Sequence, residues 1–152
     1  MAKKSAGILL YRFMDTQLQV FLVHPGGPFF RRKEDGVWSI PKGEFTDEED
    51  PLAAAKREFL EEIGRSIDGK FIPLNPIVQK GGKIVYAWAI EGNIDPAIIL
   101  SNSFELEWPP KSGKKQNFPE VDRAAWFTAK EALTKVNIAQ SGLIEQLLQI
   151  QI

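Results

Sequence analysis

The sequence predicts a mixed α/β (α+β) fold, in which β-strands and α-helices share one chain and form layers. Three observations favour this class: two apolar segments near the N-terminus that are rich in strand formers, a capped helical segment in the middle, and further strands followed by a helix towards the C-terminus. The 152 residues show no repeat, low-complexity tract or linker. We therefore predict a single domain over residues 1–152.

The first two predicted strands are "SAGILLYRF" (5–13) and "LQVFLVH" (18–24). The short polar segment "MDTQ" separates them, so they are expected to pair. The following segment "PGGPFFRRKEDG" (25–36) contains three glycines and two prolines, which break any regular pattern. It is predicted to be a loop.

The first predicted helix runs from about Asp50 to Ile63. Asp50 is suited to the N-cap, Pro51 to the first helical position and Gly64 to the position after the last turn. Its buried face should contain Leu52, Ala55, Phe59 and Ile63.

Three more strands and a second helix are predicted in the remaining chain. "KIVYAWAIEG" (83–92) is a clear strand, "RAAWFT" (123–128) a short one, and "FIPLNPIVQK" (71–80) a weaker one that its two prolines interrupt. A helix is expected in "SGLIEQLLQI" (141–150), after a helical turn in "TAKEAL" (128–133). The long segment 102–120 is predicted to lack regular structure.

Composition narrows the classes of partner. The chain has 19 basic and 20 acidic residues, and this net charge of -1 gives no reason to expect DNA or an anionic membrane as the main partner. It contains no cysteine, which excludes disulfides and thiolate metal ligands. The apolar run before Tyr11 and Arg12 is too short for a signal or membrane segment. We expect a cytoplasmic protein.

An acidic cluster lies on the first predicted helix. Glu58, Glu61 and Glu62 are related by steps of three and four and therefore share one face. Arg57 precedes Glu61 by one turn, and one arginine cannot neutralise three glutamates. Either the carboxylates are solvated on a surface helix or a divalent cation binds between them. Spacing alone leaves both interpretations open.

The segment from Gly43 onwards resembles the signature of the Nudix hydrolases. All seven fixed positions of that 23-residue signature are occupied, and a bulky apolar residue, Phe59, follows the Arg-Glu pair. The fixed positions are Gly43, Glu49, Arg57, Glu58, Glu61, Glu62 and Gly64. Arg65 is the one departure, because the family usually has an aliphatic residue there.

The resemblance implies an α/β/α sandwich with a mixed β-sheet. It also implies Mg²⁺- or Mn²⁺-dependent hydrolysis of a nucleoside diphosphate linked to another group, by attack of metal-activated water. Glu61 and Glu62 would be metal ligands, Glu58 a ligand or a base, and the Lys42 carbonyl a further ligand. Arg57 would orient the glutamates, with Glu49 as its structural partner.

Many members of this family use a further carboxylate from outside the signature. Glu120 is our candidate because it lies just ahead of the last predicted strand, and Glu105 and Glu107 are alternatives. Glu120 is equally well interpreted as a turn residue paired with Arg123.

Candidates for substrate binding come from the segment before the helix. Lys42, Arg31 and Arg32 are expected to contact phosphates, and Trp38 to stack on a base. A solvated basic loop is the alternative for the arginines, and a surface residue for Lys42. His24 is interpreted as a packed residue at a strand end.

The substrate itself stays open at this stage. The stretch Lys80–Lys83 carries neither the proline that the family associates with ADP-ribose nor the tyrosine associated with dinucleoside polyphosphates. The segment 104–127 resembles a bacterial subgroup of predicted nucleoside triphosphate pyrophosphohydrolases. The alternatives are an inactive nucleotide-binding module and an RNA 5′-end pyrophosphohydrolase, for which Lys111, Lys114 and Lys115 would contact RNA. The protein is expected to be a monomer or a homodimer.

Overall fold

A mixed β-sheet lies at the centre of the computed structural model, which describes residues 3–150. The ends of the predicted domain, Met1, Ala2, Gln151 and Ile152, lie outside the described residues. The strands are β1 (Lys4–Met14), β2 (Gln17–Pro25), β3 (Lys42–Phe45), β4 (Ile72–Pro73), β5 (Ile77–Val78), β6 (Ile84–Glu91), β7 (Ser103–Glu107), β8 (Lys115–Pro119) and β9 (Val121–Thr128). The helices are α1 (Pro51–Ile63), α2 (Ala129–Lys135) and α3 (Ser141–Gln149).

The main sheet has seven strands, with the order β4-β6-β1-β2-β9, and with β3 paired to β1 and β5 to β6. Strands β1 and β6 are parallel, and the other pairs are antiparallel. Strands β7 and β8 form a separate two-stranded hairpin. The predicted mixed sheet is confirmed.

Strand β1 has two different partners along the edge opposite β6. Residues 4–7 pair with β3, whereas residues 11–14 pair with β2. Between them, the Ile8 N–H donates to the Pro41 carbonyl (3.1 Å). The sheet therefore forks at β1, and a cleft opens between β3 and the β2–β9 pair.

Side chains of β1 alternate between two apolar cores because successive strand residues face opposite sides of the sheet. Ile8 and Leu10 pack in the core that contains Phe59 of α1. Leu9 and Tyr11 belong to the other core, with side chains from α2 and α3. Helices thus cover both faces, as the predicted sandwich requires.

Helix α1 begins and ends where the sequence predicts. The Asp50 carboxylate accepts a hydrogen bond from the Ala53 N–H (3.0 Å). Gly64 ends the helix in the left-handed conformation, with φ 78°, and its N–H donates to the Leu60 carbonyl (2.8 Å). The departure from the family pattern, Arg65, is exposed after this cap.

Three local predictions need correction. Segment 102–120 is not irregular, because β7 and β8 pair across it. Residues 42–45 form strand β3, which the sequence analysis did not predict, and the weak strand 71–80 divides into the two short strands β4 and β5. The hairpin was missed because its strands have only five residues each and β8 shows no alternation of buried and exposed side chains.

The helices are short. Helix α1, with 13 residues, is the longest of the three. Within residues 3–150, no helix has the length and apolar character needed to cross a membrane.

We predict that Gly64→Ala destabilises the protein more than Gly36→Ala does. Both glycines have a φ near +80°, so alanine is strained at either position. A Cβ at Gly64 would also lie 2.6 Å from the Leu100 carbonyl oxygen, whereas a Cβ at Gly36 would meet nothing within 4 Å. Chemical denaturation should show a loss on the order of 1–3 kcal/mol for Gly64→Ala. Equal losses in the two variants would contradict the contact with Leu100.

Candidate active site

Helix α1 presents its three clustered glutamates at the fork of the sheet. Glu58 and Glu62 are buried, with exposed fractions of 8% and 7%, and Glu61 is half-buried. Buried carboxylates are rare in proteins unless a counter-charge is close. The solvated acidic face, one of the two interpretations that spacing left open, therefore does not describe Glu58 or Glu62.

Gly43 of β3 makes room for one of these glutamates. A Cβ at position 43 would lie 2.1 Å from both Cδ and Oε2 of Glu58. Only a glycine lets the strand pass this close to the carboxylate. The spacing between Gly43 and Glu58 in the sequence thus corresponds to direct packing between β3 and α1.

Arg57 joins the glutamates of the helix to the loop before it. Its guanidinium donates two hydrogen bonds to Glu49, at 2.7 and 3.0 Å. The remaining nitrogen donates to Glu58 Oε1 (2.7 Å) and to Glu61 Oε2 (3.2 Å). This two-point pairing with Glu49 fixes the plane of the guanidinium, which in turn holds two cluster carboxylates. The hydrogen bonds from Arg57 also keep the pKa of the Glu49 carboxyl group below its usual value.

The negative charge of the cluster is least compensated at Glu62. Burial raises the pKa of Glu62 to about 9, and the nearby carboxylates of Glu58 and Glu120 add to the rise, which Lys42 only partly opposes. Burial also raises the pKa of Glu58, although Arg57 acts in the opposite direction. At neutral pH, Glu62 lacks the nearby positive charge needed to keep it ionised.

Glu120 lies across the cleft from α1, in the connection between β8 and β9. It lines a cavity of about 260 Å³ together with Lys42, Glu62 and side chains of β2. Glu120 is exposed as a residue, yet partial burial of its carboxylate, together with the charge of Glu61, raises its pKa. Arg123, its predicted partner in the alternative reading, pairs instead with Glu34 and Asp122.

The two rivals of Glu120 lie on the hairpin. Glu105 pairs with Lys115 across the two strands (3.6 Å), and Glu107 accepts a hydrogen bond from the Lys111 N–H (2.8 Å). Neither lines the cavity that contains Glu62. Among these three candidates, Glu120 is the one that meets the cluster.

Lys42 is half-buried at the cleft, where burial and the nearby Lys83 ammonium lower its pKa.

Gln140, a buried side chain that the sequence analysis missed, positions the segment that precedes Lys42. Its Oε1 accepts from the Ile40 N–H (3.0 Å) and its Nε2 donates to Ser39 Oγ (3.0 Å). A glutamine about 100 positions away gives no sequence signal for such a contact.

The donor set fits a hard divalent cation. Mg²⁺ and Mn²⁺ prefer carboxylate and carbonyl oxygens, which are the groups that α1, Glu120 and Lys42 bring to the cleft. Within residues 3–150, no three carboxylate or imidazole groups are already gathered at ligand spacing. The Arg57 guanidinium contacts Glu58 and Glu61 instead. Charge compensation, rather than preformed geometry, is therefore what favours a cation here.

The other residues that were predicted to bind substrate lie away from the glutamate cluster. Trp38 is only 2% exposed and packs against His24 and Phe127, so its burial is inconsistent with the predicted stacking on a base. Arg31 and Arg32 are exposed in the loop after β2 and do not line the 260 Å³ cavity. The structure brings neither arginine to the glutamates.

His24 is packed, as predicted, and is fully buried. Its Nδ1 lies 2.8 Å from Asp122 Oδ1 and its Nε2 lies 2.7 Å from the Lys33 carbonyl oxygen. These contacts join β2 to β9 and to the loop that follows β2. His24 does not line the cleft.

Two further cavities border β3. The larger, about 390 Å³, lies beyond the far end of the strand, and its charged lining residues include the Lys4–Asp47 and Lys3–Glu44 ion pairs. The other, about 270 Å³, is lined by Lys42, Gln79, Lys80, Lys83 and Asn137. Lys42 lines both this basic cavity and the cleft with Glu62, so the two adjoin.

This glutamate signature indicates a pyrophosphohydrolase, which is an enzyme that hydrolyses acid anhydrides. The family model described as NUDIX domain matches residues 1–147, so the chain belongs to the Nudix family. No curated protein matches the sequence significantly.

Solved structures agree on the fold. The C. elegans Ap4A hydrolase in a binary complex has a TM-score of 0.64 at 20% identity, with 97% of this chain and 96% of that chain covered. A mutT/nudix family protein from Listeria innocua has a TM-score of 0.63 at 16% identity, covering 97% and 92%. The NUDIX domain of Shewanella oneidensis NrtR, complexed with ADP ribose, has a TM-score of 0.60 at 19% identity, covering 98% and 88%.

We predict that Glu62→Gln stabilises the metal-free protein. The folded-state pKa of Glu62 lies above the ordinary value of 4.5, so its contribution to stability is full below pH 4.5 and is lost as the pH rises towards 9. Glutamine does not titrate and escapes this loss. At pH 7 in EDTA, the variant should gain about 1 kcal/mol, which is about 3 °C in Tm.

The control is the pH dependence of the difference in Tm between wild type and Glu62→Gln. The difference in Tm between Glu62→Gln and wild type should shrink as the pH falls to 4.5, because Glu62 is then protonated in the folded chain and about half protonated in the unfolded chain. The exposed Glu145→Gln should show no such trend. A constant difference between pH 4.5 and 8 would contradict the assigned direction.

We predict that Gly43→Ala impairs catalysis while the protein stays folded. The added methyl group would occupy the position of the Glu58 carboxylate and force it to move. Displacement of a catalytic group by about 1 Å costs on the order of 10²-fold in rate. The measurement is kcat with Mg²⁺, beside Gly142→Ala, where a Cβ meets only Ile77 at 3.7 Å. Full activity in Gly43→Ala would contradict the tight contact.

Proposed function

We propose that the chain is a divalent-metal-dependent hydrolase that cleaves a phosphoanhydride bond in a nucleoside diphosphate linked to another group. The expected substrates are nucleoside triphosphates or dinucleoside polyphosphates, and the expected metal is Mg²⁺ or Mn²⁺. The observation that carries the proposal is the convergence of Glu58, Glu61 and Glu62 with Glu120 on one cleft without enough positive charge to compensate them.

The ligands of the cation would come from the three helix glutamates, the Lys42 carbonyl and Glu120. When bound, the cation would lower the pKa of the attacking water and neutralise charge that develops on the phosphoryl oxygens. This role explains why a helix retains carboxylates that repel one another. It also agrees with the general use of divalent metals in the family.

The chain's own groups perform the rest of the reaction. Water attacks phosphorus and loses a proton to a carboxylate, the phosphoanhydride P–O bond breaks, and the leaving phosphate departs with the bonding electrons. Glu58 and Glu120 suit the role of base, because a raised pKa brings a carboxylate nearer to neutral pH. Arg57 acts through Glu58 and Glu61 by holding them in place. The Lys42 ammonium offsets substrate charge.

The structural neighbours support a nucleotide substrate. One is an Ap4A hydrolase, and another is a Nudix domain complexed with ADP ribose. Both names describe nucleotide ligands on the same fold, and we extend that chemistry to this cleft. We expect the protein to act as a monomer or homodimer in the cytoplasm, without a membrane or DNA partner.

Two alternatives differ in measurable ways. An inactive nucleotide-binding module is disfavoured because every fixed position of the signature is intact. An RNA 5′-end pyrophosphohydrolase would use the exposed hairpin, which carries Lys111, Lys114 and Lys115. Binding to RNA through these lysines would weaken steeply with salt. Weak or salt-independent binding to RNA would count against the RNA pyrophosphohydrolase alternative.

The test is product analysis with purified protein and Mg²⁺ or Mn²⁺. The panel contains nucleoside triphosphates, dinucleoside polyphosphates, ADP-ribose and 5′-triphosphorylated RNA. We expect Glu61→Gln and Glu62→Gln to lower turnover of the cleaved class by at least about two orders of magnitude. Glu145→Gln, on the exposed face of α3, is the matched control.

Two outcomes would overturn the proposal. The first is cleavage of none of these compounds by wild-type protein in either metal. The second is unchanged turnover in both Glu61→Gln and Glu62→Gln, since the carboxylates would then play no part in the reaction.

A further inference from the structure

A basic cavity adjoins the catalytic cleft, and of its lining residues only Lys42 has a role in the hydrolysis described above. Its lining residues are Lys42, Gln79, Lys80, Lys83 and Asn137, and its volume is about 270 Å³. One water molecule occupies about 30 Å³ of liquid, so a phosphate group fits this space easily. The lining residues are three lysines and two residues with amide side chains, and none of them carries a carboxylate.

A turn between β5 and β6 places two of the lysines. Gln79 and Lys83 close it with a hydrogen bond from the Gln79 N–H to the Lys83 carbonyl (2.8 Å). Gly81 and Gly82 both have a φ near +90°, a conformation that side chains other than glycine rarely adopt. The two glycines thus allow a tight turn with Lys80 and Lys83 on either side.

The positive charge of the cavity is only partly compensated. Lys83 pairs with Glu44 (3.2 Å), a residue outside the lining. Among residues 3–150, no carboxylate oxygen lies within 4.0 Å of Nζ of Lys42 or Lys80, although the negative charges of Glu62, Glu44 and Glu58 act on Lys42 from a greater distance. Like-charged lysines that face one cavity repel one another, and an anion between them removes that repulsion.

Lys42 connects this cavity to the cleft of Glu62 and Glu120, because it lines both. A phosphate chain whose scissile bond lies at the glutamates would therefore reach the lysines with its next group. Oxygen atoms of phosphate are suitable acceptors for ammonium groups, and each charge-assisted contact is strong.

We propose that Lys42, Lys80 and Lys83 form a phosphate subsite that binds an additional phosphate group of the substrate. This inference rests on the proposed function and deepens it by naming residues that would recognise the phosphate chain. The enzyme acts on nucleotides with a chain of three or more phosphates, in preference to a diphosphate linked to a sugar. The Lys80–Lys83 turn is then a determinant of substrate choice.

The first test is binding of inorganic tripolyphosphate to the full-length, metal-free protein by calorimetry at low salt. We expect Lys80→Met and Lys83→Met each to weaken binding by about tenfold, which is the effect of losing one charged contact. Lys130→Met, an exposed lysine on α2, removes the same charge outside the cavity and should leave binding unchanged. Equal affinities in wild type and a Lys80→Met/Lys83→Met double variant would overturn the subsite.

The second test compares kcat/KM for a nucleoside triphosphate with kcat/KM for ADP-ribose, both with Mg²⁺. In the double variant, the value for the triphosphate should fall at least about tenfold more than the value for ADP-ribose. Equal losses for both substrates would overturn the subsite and leave the hydrolase assignment intact. If wild-type protein cleaves no compound of the panel described above, the proposed function fails, and tripolyphosphate binding still decides the subsite.

Discussion

Repulsion among carboxylates that cannot all be solvated is the constraint on which the rest of this structure depends. Glu58 and Glu62 are buried on α1, and Arg57 supplies the one guanidinium that contacts the cluster within the described residues. Arg57 is itself oriented by Glu49, so a single arginine both neutralises and positions part of the cluster. Glu62 has no hydrogen bond to Arg57, and among residues 3–150 the half-buried Lys42 is the positive charge that acts on it. In the function that we propose, a divalent cation would complete this balance, and the reaction chemistry would follow from it.

The fold makes this arrangement possible by forking at β1. Because β3 pairs with one half of β1 and β2 with the other, the sheet opens where α1 crosses it. Gly43 lets β3 approach Glu58, and β9 begins directly after Glu120. The fork thus brings together groups that lie about sixty positions apart in sequence, and the apolar face of α1, packed through Phe59 and Ile63, holds the helix in place.

Local signals explain which features the sequence could predict. The ends of α1 were predictable because Asp50 and Gly64 act on their own helix, and the shared face of the glutamates follows from helical spacing. The burial of Trp38 and the contacts of Gln140 were not predictable, because each depends on a partner distant in sequence. The hairpin β7–β8 is local, and it was missed because its strands have only five residues each. Lys80 and Lys83 gave no signal of their own, since only the parallel pairing of β6 with β1 brings them near Lys42.

Direct titration with Mn²⁺, followed by the electron paramagnetic resonance signal of the free ion, tests the central claim most directly. It measures cation binding without any assumption about the substrate. We expect wild-type protein to bind Mn²⁺ stoichiometrically at neutral pH, Mg²⁺ to compete for the same site, and a Glu61→Gln/Glu62→Gln double variant to lose that binding. Absence of binding in wild type, or binding that the double variant retains, would show that a divalent cation does not compensate these carboxylates.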